Sequence, residues 1–90
     1  MFTGIIESLG YVKKVKSNLG NIDFTISSSI SSDLKIDQSV SHNGVCLTVV
    51  NLGEKTHTVT AVKETLDKSS LKNLSTGSEV NLERAMKLGE

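Results

Sequence analysis

The chain reads as an all-β domain, a small antiparallel barrel of about six strands, on three observations. Apolar residues alternate with polar ones in short runs, as in Ile22-Asp23-Phe24-Thr25-Ile26. Turn signals such as Asn18-Leu19-Gly20-Asn21, Asn43-Gly44, Leu52-Gly53-Glu54 and Thr76-Gly77-Ser78 recur about every 8–12 residues. No stretch carries helical periodicity for more than about two turns. Closing such a set of strands into a barrel also removes the exposed edges that a small open sheet would present.

In chain order, Phe2 to Ile6 is a short apolar run interrupted by Gly4 and reads as the first half of a strand continued by Leu9 to Val15. A glycine within a strand marks a place where another group approaches the backbone. Ile22, Phe24 and Ile26 define a half-buried strand, because side chains alternate across a sheet. The serine-rich stretch 27–32 contains Ile30 and Leu34, and Ser32 is placed to cap a single turn ahead of Leu34. Ser39 to Val50 forms two extended runs around Asn43-Gly44, a pair suited to successive residues at positive φ. Beyond that bend Val45, Leu47 and Val49 face one way and Cys46, Thr48 and Val50 the other, so a thiol and a hydroxyl lie roughly 6–7 Å apart on one face.

The loop Asn51 to Lys55 leads into the threonine-rich strand Thr56 to Val62, where His57 shares the face of Val59 and Ala61. Lys63 to Leu71 mixes helical and irregular character, with Glu64 and Lys68 at a helical i,i+4 spacing. Glu79 to Arg84 is a closing strand with Val80 and Leu82 on one face, and 85–90 reads as a frayed end.

Ninety residues suit one domain of modest stability. Ten basic residues balance ten acidic ones, and three aromatics are too few for a base-stacking platform, so neither nucleic acid nor an anionic membrane is favoured as a partner. One cysteine makes no internal disulfide, and with two histidines it lacks zinc-site spacing, so no metal is expected. A free thiol suits a cytoplasmic setting. Neither a signal peptide nor an apolar span long enough for a membrane is evident.

Four segments carry a further signal: Met1-Phe2-Thr3-Gly4-Ile5-Ile6-Glu7, Asn43-Gly44-Val45-Cys46-Leu47-Thr48-Val49, Lys63-Glu64-Thr65-Leu66, and Val80-Asn81-Leu82-Glu83-Arg84-Ala85. In that order and at those spacings the chain resembles the N-terminal half of riboflavin synthase. The resemblance implies a six-stranded Greek-key barrel that binds 6,7-dimethyl-8-ribityllumazine and riboflavin. It implies a reaction in which one lumazine donates a four-carbon unit to another, giving riboflavin and a pyrimidine. No cofactor is required, because the electron-poor ring stabilises a carbanion at its 7-methyl group. Family members have two similar barrels and a C-terminal helix, assemble as trimers, and form the working site where barrels of neighbouring subunits meet.

Carried onto this chain, the resemblance places Cys46 and Ser39 at the reacting positions, with Cys46 either a nucleophile, a proton-transfer group or a polarisable wall. It places Gly4, Ile5 and Ile6 against the flat ring, Leu47 and Thr48 beside Cys46, and Thr60, Ala61, Val62, Lys63, Glu64 and Thr65 along the remaining wall. The histidine-bearing segment that opens the family's second barrel is absent from residues 1–90, so the chain is expected to hold half a site. That half-site is expected to bind ligand with little turnover, and to self-associate as a homodimer in which a second copy replaces the missing barrel. The competing class is a non-catalytic lumazine or flavin carrier, which would need neither Cys46 nor Ser39. A generic interaction barrel would leave the four segments unexplained. His42, beside the Asn-Gly bend, and His57 read as structural.

Overall fold

The computed structural model describes residues 2–85. Six strands close into a barrel in the order β1-β2-β5-β4-β3-β6, all neighbours antiparallel. They are β1 (Ser8–Asn18), β2 (Asn21–Ser27), β3 (Ser39–His42), β4 (Val45–Gly53), β5 (Thr56–Ala61) and β6 (Glu79–Arg84). Three tight hairpins join β1 to β2, β3 to β4 and β4 to β5. The two crossovers, from β2 to β3 and from β5 to β6, give the Greek-key order.

Each hairpin follows from its turn residues. Leu19-Gly20 and Asn43-Gly44 both adopt positive φ at both positions (52° and 90°, 52° and 85°), the backbone twist that matches two antiparallel strands. Asn43 has a second task. Its N–H donates to the Asn81 carbonyl and its Oδ1 accepts from the Asn81 N–H, both at 2.8 Å, tying the turn to β6.

Inward-facing side chains fill the barrel: Val12, Phe24, Ile26, Val40, Leu47, Val49, Val59, Ala61, Val80 and Leu82 are all buried. In β1 the pairing shifts register between Val12 and Lys14, so both lysines of Lys13-Lys14 stay outside and Val15 returns to the interior. The crossovers close the barrel's ends. Ile30 and Leu34 flank a 3-10 turn over Ser31–Asp33, and Leu66 of α1 (Lys63–Asp67) and Leu71 of a second 3-10 turn (Leu71–Asn73) are buried. Gly10 sits where β1 crosses this core: a Cβ there would lie 2.8 Å from Ile26 Cγ2 and 2.9 Å from Leu82 Cδ1.

Three sequence expectations change. Phe2 to Ile6 is not a strand; β1 begins at Ser8. Gly4 lies at φ 83°, which breaks an extended run, and a Cβ there would meet nothing within 4 Å. Its glycine therefore serves the backbone angle, and no other described part of the chain approaches it. Ser32 caps nothing: Ile30 is the N-cap of the turn, and the Ser31 N–H is satisfied by Ser28 Oγ at 3.1 Å. The serine run also has a buried role, because Ser31 is 1% exposed and bonds to His57. The expected frayed end lies, beyond Ala85, outside the described residues.

Both histidines are interior, as the sequence reading of them as structural allowed. His42 Nδ1–H donates to the Val40 carbonyl at 3.0 Å, which leaves His42 Nε2 as an acceptor for His57 Nε2–H, also at 3.0 Å. His57 Nδ1 then accepts from Ser31 Oγ at 2.7 Å. Burial lowers both pKa values to about 4; at His57 the like charge of His42 adds to the effect, whereas the Val40 bond partly opposes it at His42.

Candidate functional site

The two-residue turn at Asn43-Gly44 fixes the β3–β4 register: His42 pairs with Val45, Ser41 with Cys46, Val40 with Leu47 and Ser39 with Thr48. Directly opposed residues share a face, with Cβ atoms about 4.5–5.5 Å apart. Val40 and Leu47 are buried, so Ser39, Ser41, Cys46 and Thr48 all lie on the outer face. There Ser39, Cys46 and Thr48 present two hydroxyls and one thiol, while Ser41, 7% exposed, lies against the N-terminal segment. Cys46 is a free, exposed cysteine.

On the other side of β4 the ladder to β5 runs from Gly53↔Thr56 to Val49↔Val59 and ends there. Thr60 and Ala61 remain paired to β2. Their backbone edge turned toward Cys46–Thr48 is therefore left unpaired by β4, and the sheet has a seam between those two segments. Thr60 points outward, its hydroxyl donating to Asp23 Oδ1 at 2.7 Å. Ala61 is buried and Val62 is half exposed. Just beyond, Lys63, Glu64 and Thr65 open α1. The Lys63 N–H donates to Asn21 Oδ1 at 3.0 Å, and Glu64 pairs with Lys68 at 2.8 Å on the solvent face.

The N-terminal segment borders the patch from the β6 side. β6 pairs Glu83 with Ser41 and Arg84 with Val40. Glu83 accepts from the Thr3 N–H at 2.7 Å, the Thr3 hydroxyl at 2.5 Å and the Gly4 N–H at 3.1 Å. Those bonds, the hydroxyl's first, hold its carboxyl below the usual carboxylate range. Glu7 forms an ion pair with the Arg84 guanidinium, and that hydrogen bonding likewise lowers the Glu7 pKa. Ile5 and Ile6 project into solvent, 72% and 58% exposed.

An open groove of about 1020 Å³ lies between this segment and the β2–β3 crossover. Ile5, Ile36, Gln38, Ser39, Glu83 and Arg84 are among its walls. A smaller recess of about 60 Å³ lies between Gly4–Ile6 and Ser41, Gly44 and Glu83. The structure thus brings together Ser39, Cys46 and Thr48 on one face, with Gly4, Ile5 and Ile6 beside it across β6. Thr60 to Thr65 lie across the seam from Cys46 and line neither concavity. Leu47 and Ala61 turn their side chains into the core, so they offer the outer face backbone alone.

Sequence reasoning missed Ser41 and Glu83. Ser41 was within reach, since a two-residue hairpin at Asn43-Gly44 dictates its pairing with Cys46. The Glu83 contacts span 79 and 80 residues, and no local pattern signals them.

A closed six-stranded Greek-key barrel with a polar, thiol-bearing outer face defines the class: a small β-barrel domain presenting an open surface site. The chain belongs to the lumazine-binding domain family, whose model matches residues 3–85. It is 42% identical over 87 residues to the riboflavin synthases of Bacillus subtilis (strain 168) and Bacillus amyloliquefaciens, covering 96% of this chain and 40% of each of those proteins. Against the riboflavin synthase of Photobacterium phosphoreum the identity is 38% over 90 residues, again 40% of that protein. The chain thus spans about two fifths of the length of these relatives. Among solved structures, LumP complexed with 6,7-dimethyl-8-(1'-D-ribityl) lumazine superposes with a TM-score of 0.87 at 25% identity, covering 94% of this chain and 49% of that one. LumP complexed with riboflavin gives 0.86 at 25% identity, covering 99% and 51%.

Proposed function

We propose that this domain binds 6,7-dimethyl-8-ribityllumazine and riboflavin on the outer face of its barrel, and that it supplies one ligand site of a riboflavin synthase, a transferase of four-carbon units. The observation that carries this reading is the accessible patch Ser39-Cys46-Thr48 set between an apolar N-terminal segment and the β4–β5 seam. A flat bicyclic ring needs an apolar surface beneath it, which Ile5 and Ile6 offer, and donors and acceptors along its edge. Thr48 and the backbone of Thr60, Ala61 and Val62 provide such an edge across the seam. At the start of α1, Glu64 would bind the ribityl hydroxyls or sit in the interface, with Lys63 and Thr65 beside it.

In the reaction, one ligand gives up a proton and then a four-carbon unit to a second. The protein's part is to hold both rings and manage protons at the reacting carbons. Ser39 and Cys46 are the groups placed to do this. The exposed Cys46 thiol can reach a bound ligand either as a nucleophile or as a polarisable wall. One barrel presents one such face. A second copy opposed to it would bring two ligands together and cover Ile5, Ile6, Val50 and Val62, all at least half exposed. The domain therefore acts as a homodimer, and a mainly monomeric species in sedimentation at tens of micromolar protein would contradict this. A cytoplasmic setting accords with the free thiol.

A carrier that holds lumazine or flavin without turning it over is the second reading, favoured by the close superposition on LumP. The higher identity to riboflavin synthases and the presence of Ser39 and Cys46 favour the enzyme. Incubating the domain with the lumazine and following riboflavin formation separates the two. Formation abolished by Cys46→Ala or Ser39→Ala supports the enzyme; tight binding with no product, even beside an intact partner barrel, supports the carrier.

A further inference from the structure

We infer that Glu83 is a positioning residue, a carboxylate latch that holds Gly4, Ile5 and Ile6 in place as one wall of the ligand site; this rests on the binding reading above. The segment 2–7 is not part of a strand, so it needs other contacts to hold a fixed position. Two side chains provide them. Glu7 anchors the C-terminal end of the segment: its N–H donates to the Leu82 carbonyl at 2.9 Å, and its carboxylate bonds to Arg84. Glu83 anchors the other end alone, both oxygens occupied by Thr3 and Gly4. The Thr3 hydroxyl, which donates to Glu83, in turn accepts the Ile5 N–H at 3.2 Å. One carboxylate therefore orders three successive residues around the positive-φ bend at Gly4.

Its place in the fold gives the latch a functional meaning. Glu83 is the cross-strand partner of Ser41, which is the partner of Cys46. The carboxylate thus fixes the distance between the apolar segment and the thiol-bearing patch. Glu83 borders both the open groove and the small recess. It is half-buried on the outward face of β6, alternating with the inward Val80 and Leu82, so losing it should loosen the segment without undermining the barrel. With Glu83→Gln the charge is gone, and an amide N–H₂ must point toward one of the two backbone N–H donors. The bound-like position of the segment then becomes a minor population, and apparent affinity falls by the same fraction.

The test compares the unaltered domain with Glu83→Gln and Glu83→Asp. It measures riboflavin binding by fluorescence quenching, thermal unfolding, and amide hydrogen exchange at Thr3 and Gly4. Glu83→Gln is expected to weaken riboflavin binding about tenfold, to abolish protection of those two amides, and to move the thermal midpoint by less than about 4 °C. Glu83→Asp, which keeps the carboxylate, should recover part of both affinity and protection. Unchanged affinity or unchanged protection in Glu83→Gln overturns the inference, as does a loss of affinity that only tracks unfolding. An unaltered domain that fails to bind riboflavin defeats the binding reading itself, and the inference with it. That failure differs from one in which both proteins bind alike.

Discussion

Acidification between pH 7.5 and 5 should destabilise this barrel through its buried histidine pair. His42 and His57 are 1% and 0% exposed, and each has a pKa of about 4 in the folded protein against about 6.5 in an unfolded chain. Well above pH 6.5 both states are neutral there and the stability is present in full. As pH falls from 6.5 toward 4 the unfolded chain takes up protons that the folded one refuses, so stability declines throughout that window. At pH 5 the loss is about 2 kcal/mol for one such histidine and at most about 4 kcal/mol for the pair. For a domain of this size that lowers the thermal midpoint on the order of 10–20 °C. The geometry explains why the proton is refused. Every ring nitrogen is already engaged, and a proton on the accepting His42 Nε2 would face the N–H of His57. Thermal unfolding by circular dichroism at pH 7.5, 6 and 5 measures the decline. Replacing both rings, His42→Leu with His57→Leu, removes donor and acceptor together and should flatten the profile between pH 7.5 and 5. A midpoint in the unaltered protein that holds constant over that range refutes the reasoning, as does an equal decline in the double variant. Glu7 and Glu83, whose hydrogen bonds hold their carboxyls below the usual carboxylate range, contribute only at lower pH.

Further outcomes follow from packing and exposure. Gly10→Ala drives a methyl group against Ile26 and Leu82 and should cost about 1–3 kcal/mol in urea unfolding. Leu71→Ala opens a cavity at a fully buried position that closes one end of the barrel and should cost about 2–5 kcal/mol. Ile5→Ala removes apolar surface from a side chain that is 72% exposed. It should weaken riboflavin binding several-fold while leaving the unfolding midpoint nearly unmoved. Saturating riboflavin should slow alkylation of the exposed Cys46 thiol by iodoacetamide, read by mass spectrometry; an unchanged rate would place the ligand elsewhere.

Much of the fold was legible because its signals are local. Alternation placed Phe24 and Ile26 inward, and Asn43-Gly44 fixed both a hairpin and the face on which Cys46 and Thr48 lie. The first segment was misread for a physical reason. Phe2 to Ile6 has the composition of a strand, yet a carboxylate 80 residues away competes for its backbone N–H groups. Ser31 was passed over similarly: its partner is a histidine 26 residues later, across a crossover that no periodicity describes. The proposed site residues rest on the resemblance to a known family, whereas the contacts that hold Thr3 and Gly4 against Glu83 are long-range and emerge from the closed barrel.

Titration of the domain into riboflavin, followed by quenching of flavin fluorescence, tests the central claim most directly. Saturation at one riboflavin per chain, weakened by substitution at Ile5 or Thr48, is the expected result. No quenching at high micromolar protein would contradict the assignment of a ligand site to this single barrel.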